Sequence, residues 1–226
     1  PASFSDFIHD VQLETTGAEI SFNAPLQFDA CIKKGEIHVS DMFNLYTYEN
    51  QLYAIRMSGK EIHNLLEMSY RQWVDTMKSK DDHIMLMDQD SEGKYHWKYL
   101  AFNFDSAAGI NYEVDVTKES GHKVKILSMA DGRPFKEDET YLVAMNSYRG
   151  NGGGELLTKG AGIPLEEIKS RIVFMSDKDQ RRILMEYIES HGHINPQAHK
   201  NWKFVPTEWT VAAINRDREL LFPNKG

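Results

Sequence analysis

The residues best equipped for chemistry of recognition are Asn146-Ser147-Tyr148-Arg149-Gly150-Asn151-Gly152-Gly153-Gly154. An apolar strand pattern, Tyr141 to Met145, runs straight into them. The three consecutive glycines, Gly152 to Gly154, free the backbone for positive φ and for close approach of a ligand. Beside them stand a ring, a guanidinium and two amides. That set stacks on a planar base and hydrogen-bonds its edges, its sugar or a phosphate. The plainer alternative is a glycine turn with Tyr148 packed and Arg149 solvated. A second aromatic–amide group, Tyr48-Glu49-Asn50, also sits beside an apolar run and tips the reading towards binding.

The chain has 226 residues, enough for one large domain with its own core. Its net charge of −8 argues against a broad nucleic-acid surface, so no nucleic-acid polymer is expected as partner. A local pocket needs only a few placed donors. The one cysteine, Cys31, excludes an intramolecular disulfide. Beside Lys33 and Lys34 it could in principle be a nucleophile, though a small core residue is the simpler reading. No apolar run approaches the ~18 residues of a membrane helix, and no signal peptide is visible. The chain opens at Pro1 without methionine, so a mature form or a cut piece is expected.

No nucleophile elbow or phosphate-binding P-loop is present. His191-Gly192-His193 is the nearest approach to a metal set. It lies at a helix end with no carboxylates nearby in sequence, so neither catalytic nor metal residues are assigned to the chain. The Asp81-Asp82 and Asp88–Asp90 carboxylates read as a solvated loop.

These groups must be carried by an α+β fold, a mixed sheet flanked by helices. Phe4, Phe7, Ile8 and Val11 mark an opening helix ended by Gly17. Glu19 to Asn23 alternates as a half-buried strand. Ser40-Asp41 is expected to cap a short helix, and Gln51 to Met57 to form a strand. Ser58-Gly59-Lys60-Glu61 is a capping box opening a helix whose stripe runs Ile62, Leu65, Leu66, Tyr70, Trp73, Met77. Residues 78–98 read as an exposed excursion with a short strand at His83 to Met87. Strands follow at Tyr99 to Phe104, Gly109 to Val116 and Lys123 to Leu127. A short helix at Pro164 to Ile168 and a buried strand at Ile172 to Met175 come next. Ser176 and Asp179 cap a helix that Gly192 ends. Trp202, Phe204 and Trp209 make the tail too apolar to float.

From about Ser5 to Pro206 the chain resembles the C-terminal domain of the 5′-nucleotidase family. Within it, the chain is most similar to the bacterial 2′,3′-cyclic-nucleotide 2′-phosphodiesterase/3′-nucleotidase branch. The matching runs are Asn44 to Asn50, Met57 to Ile62, Phe104-Asp105 through Gly109 to Asp115, Met145 to Arg149 with Gly152-Gly153, and Ile194-Asn195-Pro196 followed by Asn201-Trp202. The resemblance implies a single nucleotide-binding domain over 1–226, with 207–226 an extension. It also implies a partner metallophosphatase domain, absent from this chain, holding two divalent metal ions. No cofactor is expected in the chain itself.

By the same resemblance, Tyr48 and Tyr148 sandwich the base, Asn50 follows the first ring, Asn146 and Arg149 flank the second, and Gly152 and Gly153 give the backbone room. Tyrosine at both ring positions is similar to the cyclic phosphodiesterase branch. Two departures stand out. Asn23-Ala24-Pro25-Leu26-Gln27 replaces a glycine-rich run ending in arginine, and Gly154 replaces an aspartate. The Asp-x-His, Asn-His-Asp/Glu and Gly-His-x-His metal signatures are not found. The implied function is nucleoside or nucleotide recognition within a dimetal phosphohydrolase, exported to the periplasm or cell surface, with this chain alone inactive. The alternatives are a stand-alone nucleotide-binding or surface interaction module, and a structural domain whose pocket its own side chains fill.

Overall fold

The computed structural model describes residues 3–26, 28 and 32–223. Cys31 and Gln27 lie outside them. The elements are α1 (Ser3–Thr16), β1 (Ile20–Asn23), α2 (Val39–Leu45), β2 (Gln51–Ser58), α3 (Gly59–Trp73), β3 (Met87–Gln89), β4 (Tyr95–Trp97), β5 (Ser106–Ala108), β6 (Ile110–Asp115), β7 (Val124–Met129), β8 (Thr140–Asn146), α4 (Ser147–Gly150), α5 (Leu165–Arg171), β9 (Ile172–Asp179), α6 (Gln180–His191), β10 (Trp202–Val205) and α7 (Thr207–Leu221). The main sheet has the order β5-β1-β8-β2-β9, mixed in direction, and a smaller one has the order β10-β6-β7. This is the expected α+β architecture. Among the described residues no helix is long and apolar enough to cross a membrane.

The expected capping box opens α3: Ser58 N–H donates to Glu61 at 2.8 Å and Glu61 N–H returns to the Ser58 hydroxyl at 3.2 Å. Its stripe packs under the sheet with Ile20, Phe22, Ile55, Met57, Val143 and Met145. A second apolar cluster joins α1, α2 and α6 through Phe7, Ile8, Val11, Met42, Leu45 and Leu184. The β1 strand lies between the two, so Ile20 and Phe22 enter the first cluster while Ser21 meets His9 of α1.

Several expectations are corrected. β1 is buried at every residue rather than half-buried, because β5 and β8 flank it and core lies on both faces. The α3 helix stops at Trp73, and Met77 joins the core from the loop beyond. The excursion holds not one strand at His83 to Met87 but the β3–β4 hairpin further on. Asp217 of α7 secures its start by accepting from the backbone N–H groups of Ile84 and Met85, both at 2.8 Å. Residues 99–104 are no strand: Ala101–Asn103 form a 3₁₀ turn. β9 is an edge strand whose Val173 and Met175 face solvent. The α2 helix is capped by His38, whose N–H donates to Asp41 at 2.7 Å. Asp179 alone caps α6, and Ser176 instead accepts from Leu52 N–H.

Candidate functional site

One end of the main sheet gathers the polar residues. β1 and β8 run parallel with Ser21 opposite Ala144, so they finish together at Asn23 and Asn146. β2 runs antiparallel with Leu52 opposite Asn146, so it begins where β8 ends. β5 pairs Ser106 with Asn23, which brings Asp105 to the same end. Tyr48 therefore precedes one strand and Tyr148 follows its neighbour. Both rings are exposed, at 44% and 41%. The Gln51 N–H donates to Ser147 Oγ at 3.1 Å and ties the two loops together.

Tyr148 sits in α4, a single turn capped by the Asn146 side chain, which accepts from Arg149 N–H at 2.8 Å. Its ring meets Phe102 edge-on, with centroids 6.1 Å apart at 85°. Gly153 lies beneath the ring, where a Cβ would stand 2.5 Å from Tyr148 Cε2. Gly152 holds φ +88° and Gly154 φ +68°, both left-handed. A Cβ at Gly154 would collide with Asn103 Oδ1 and Arg149 Nη1. The aspartate that the family resemblance would put there has no space in this loop.

Arg149 takes a place that composition did not suggest. It is 2% exposed and pairs side-on with Asp105, through Nε to Oδ2 and Nη2 to Oδ1, both at 2.9 Å. Its Nη1 donates to the Gly153 carbonyl and to Asn103 Oδ1, and Nη2 to the Phe102 carbonyl at 3.1 Å. All five guanidinium donors are thus engaged inside the chain. Arg149 is the strut that joins the glycine loop to the 101–103 turn, and so seats both Tyr148 and Phe102. This explains why residues 99–104 abandon the strand that their composition favours.

On the other side, Asn50 is half-buried and its carbonyl accepts from Gln180 N–H at 2.7 Å. Arg181 of α6 holds the preceding carbonyls: Nε donates to Tyr46 O and Nη2 to Thr47 O, both at 2.9 Å. Behind α6 runs a buried polar chain. His9 Nδ1 and Ser21 Oγ lie 2.8 Å apart, Ser21 Oγ donates to Gln12 at 2.6 Å, and Gln12 donates to Gln180 at 2.8 Å. Burial, helped by His199, lowers His9 to about 3, so its imidazole is neutral.

Between the two sides lie buried polar groups without full partners. Asn23 is 2% exposed, and neither its amide oxygen nor its nitrogen makes a hydrogen bond among the described residues. The Tyr46 hydroxyl is likewise unsatisfied. The Asn50 and Asn146 amides approach it without full hydrogen-bond geometry. Burial pushes Tyr46 up to about 12, opposed by those two amides. An unsatisfied buried amide costs about 1–3 kcal/mol, which an ordered water or a ligand group would relieve.

Two concavities lie elsewhere. One of about 1020 Å³ opens between α1, α6 and residues 32–38, and one of about 330 Å³ is walled by Trp73, Trp97, Phe104 and Trp202. Neither of these two is lined by Tyr48 or Tyr148, whose rings stand exposed at the surface. Among the described residues no three His, Cys, Asp or Glu side chains converge as a metal set. His191 instead stacks on Tyr187 with centroids 4.0 Å apart. The Asp82 and Asp90 side chains accept backbone N–H groups of their own turns.

Sequence reasoning missed Asp105, Phe102, Asn23 and Arg181. Asp105 stood in a matching run, but its bond to Arg149 spans 44 residues of sequence. Arg181 carried no signal beyond its place in the first turn of a helix.

Fold and site together define an α+β domain with two aromatic side chains facing out over a polar sheet end. The chain belongs to the 5′-nucleotidase C-terminal domain family, which matches it over residues 1–159. It is 29% identical over 190 residues to the trifunctional nucleotide phosphoesterase protein YfkN of Bacillus subtilis, covering 79% of this chain and 12% of that protein. It is also 29% identical over 207 residues to the 2′,3′-cyclic-nucleotide 2′-phosphodiesterase/3′-nucleotidase of Yersinia enterocolitica, covering 84% of this chain and 28% of that one. Among solved structures, the 5′-nucleotidase precursor of Thermus thermophilus superposes with a TM-score of 0.64 at 19% identity, over 88% of this chain and 34% of that chain. The chain thus spans about a tenth to a third of the length of these relatives.

Proposed function

We propose that this domain is the nucleoside-recognition part of a nucleotide phosphohydrolase, with the base held between Tyr48 and Tyr148. The observation that carries the reading is the placement of two exposed tyrosines at the adjoining ends of neighbouring strands, over a polar floor. Two π faces clamp any base with little preference, at about 1–3 kcal/mol per stacked base. Asn50 and Asn146 line the floor, and Asn23 adds a donor and an acceptor there. Arg149 supports the second ring from within rather than reaching for the ligand. Gly153 and Gly152 let the loop pass beneath the ring.

The relatives named above act on nucleotide esters, and the chain covers only part of each. The reading therefore places ester hydrolysis, on cyclic or 3′-phosphates, in a separate metallophosphatase domain. In this reading that domain would hold the two divalent ions. The contribution of this domain is position: a base fixed in the clamp brings its phosphate to a defined place. The reading includes an exported setting, periplasmic or cell-surface.

Titration of the chain with adenosine and 3′-AMP by calorimetry tests the reading. Saturable binding weakened by both Tyr48→Ala and Tyr148→Ala is expected. Binding that neither substitution alters would overturn the clamp. Phosphatase activity of the purified chain that persists after chelation would overturn the division of labour.

A further inference from the structure

The loop carrying Tyr48 is held chiefly from outside its own strand. The first two residues of α6 bind three of its carbonyls: Arg181 takes those of Tyr46 and Thr47, and Gln180 N–H takes that of Asn50. The Arg181 guanidinium lies 4.2 Å over the Phe43 ring, and its side chain is only 11% exposed. Glu49, beside the ring-bearing residue, stands 3.9 Å away. A planar fork that reaches two carbonyls while stacked on an aromatic face is a task for arginine; a lysine ammonium offers one point of contact. The α6 start is itself anchored, since Asp179 caps it and Gln180 is bonded to Gln12 in the buried chain below.

We propose that Arg181 is a positioning residue for the base clamp, setting where the Tyr48 ring stands relative to Tyr148 without touching the ligand. This rests on the clamp reading above. Arg181 holds the Tyr46 and Thr47 carbonyls, which adjoin Tyr48, whereas the Asn50 carbonyl is held by Gln180, so Arg181 acts on binding through the Tyr48 ring and loss of either side chain removes the same contribution.

The experiment is a double-mutant cycle read by calorimetry with adenosine, on the chain and its Arg181→Gln, Arg181→Lys, Tyr48→Ala and Tyr48→Ala/Arg181→Gln variants. Arg181→Gln is expected to weaken adenosine binding about tenfold, within the range for residues that share a network. Arg181→Lys should fall between it and the parent. The double variant should bind no more weakly than Tyr48→Ala alone. Losses that multiply in the double variant, or Arg181→Gln binding like the parent, overturn the proposal. Tyr48→Ala binding like the parent removes the clamp itself and the proposal with it, an outcome distinct from multiplying losses. Melting curves accompany each variant. Should Arg181→Gln fail to fold, the same cycle run with Arg181→Lys decides, by the same criterion of multiplying or non-multiplying losses.

Discussion

Tyr148 and Tyr48 stand on the same sheet end but are seated by different physics. Tyr148 rests on a buried bidentate ion pair, a capped turn and a glycine with no space for a methyl group. Tyr48 rests on an exposed loop whose carbonyls are gathered by one arginine from a distant helix. A buried, fully bonded charge pair resists displacement, because breaking it strands a charge in low dielectric. A surface loop held by carbonyl contacts opens at lower cost. The difference teaches that the proposed clamp would have one fixed jaw and one adjustable jaw, with the fixed one expected to carry the larger share of fold stability.

The sharpest way to break this comparison is Arg149→Met. Removing one partner of a buried pair costs about 3–5 kcal/mol, so urea unfolding should show a loss of that size, with Arg181→Gln losing far less. Equal losses would erase the distinction between the jaws. Next, Tyr148→Ala and Tyr48→Ala should each weaken adenosine binding by about 1–3 kcal/mol while leaving the melting temperature close to that of the parent, because both rings are exposed. A large drop in melting temperature for either would make that ring a structural one.

Acid tests the adjustable side. His9 is neutral in the fold with its pKa lowered to about 3, against about 6.5 in the unfolded chain. Its contribution is complete above the unfolded value and is lost as pH falls towards the folded one. At one pH unit below 6.5 the loss is about 1.4 kcal/mol. His9→Gln should therefore melt with a shallower decline between pH 7.5 and 5.5 than the parent; parallel declines would refute the assignment. The smallest effect expected is for Asn146→Ala. Loss of that cap should cost about 1 kcal/mol in urea unfolding, and adenosine binding should weaken more than it does in Ser147→Ala.

Much of the frame was legible. The Ser58–Glu61 box, the α3 stripe and the glycine loop after β8 all follow from local rules of period, capping and backbone freedom, and the structure keeps them. The errors share one cause. Tyr99 to Phe104 carries strand-favouring residues yet forms a turn, because Arg149 draws the Phe102 carbonyl and Asn103 side chain inward. Val173 and Met175 read as core because apolar composition does not reveal whether a strand lies at the centre or the edge of a sheet. The ring and amide residues of the candidate site could be picked out. The partners that orient them could not.

By itself the sequence determined the α+β class, the positions of the two tyrosines beside apolar strands and the flexibility of the 152–154 backbone. Those properties depend on neighbours a few residues apart. The tertiary structure decided that Arg149 faces Asp105 rather than solvent, that Arg181 reaches the Tyr46 and Thr47 carbonyls, and that Asn23 ends beside Asn146. Each of these joins residues from separate elements, and a charged side chain in an isolated stretch of sequence holds no record of which distant acceptor will meet it once water is excluded.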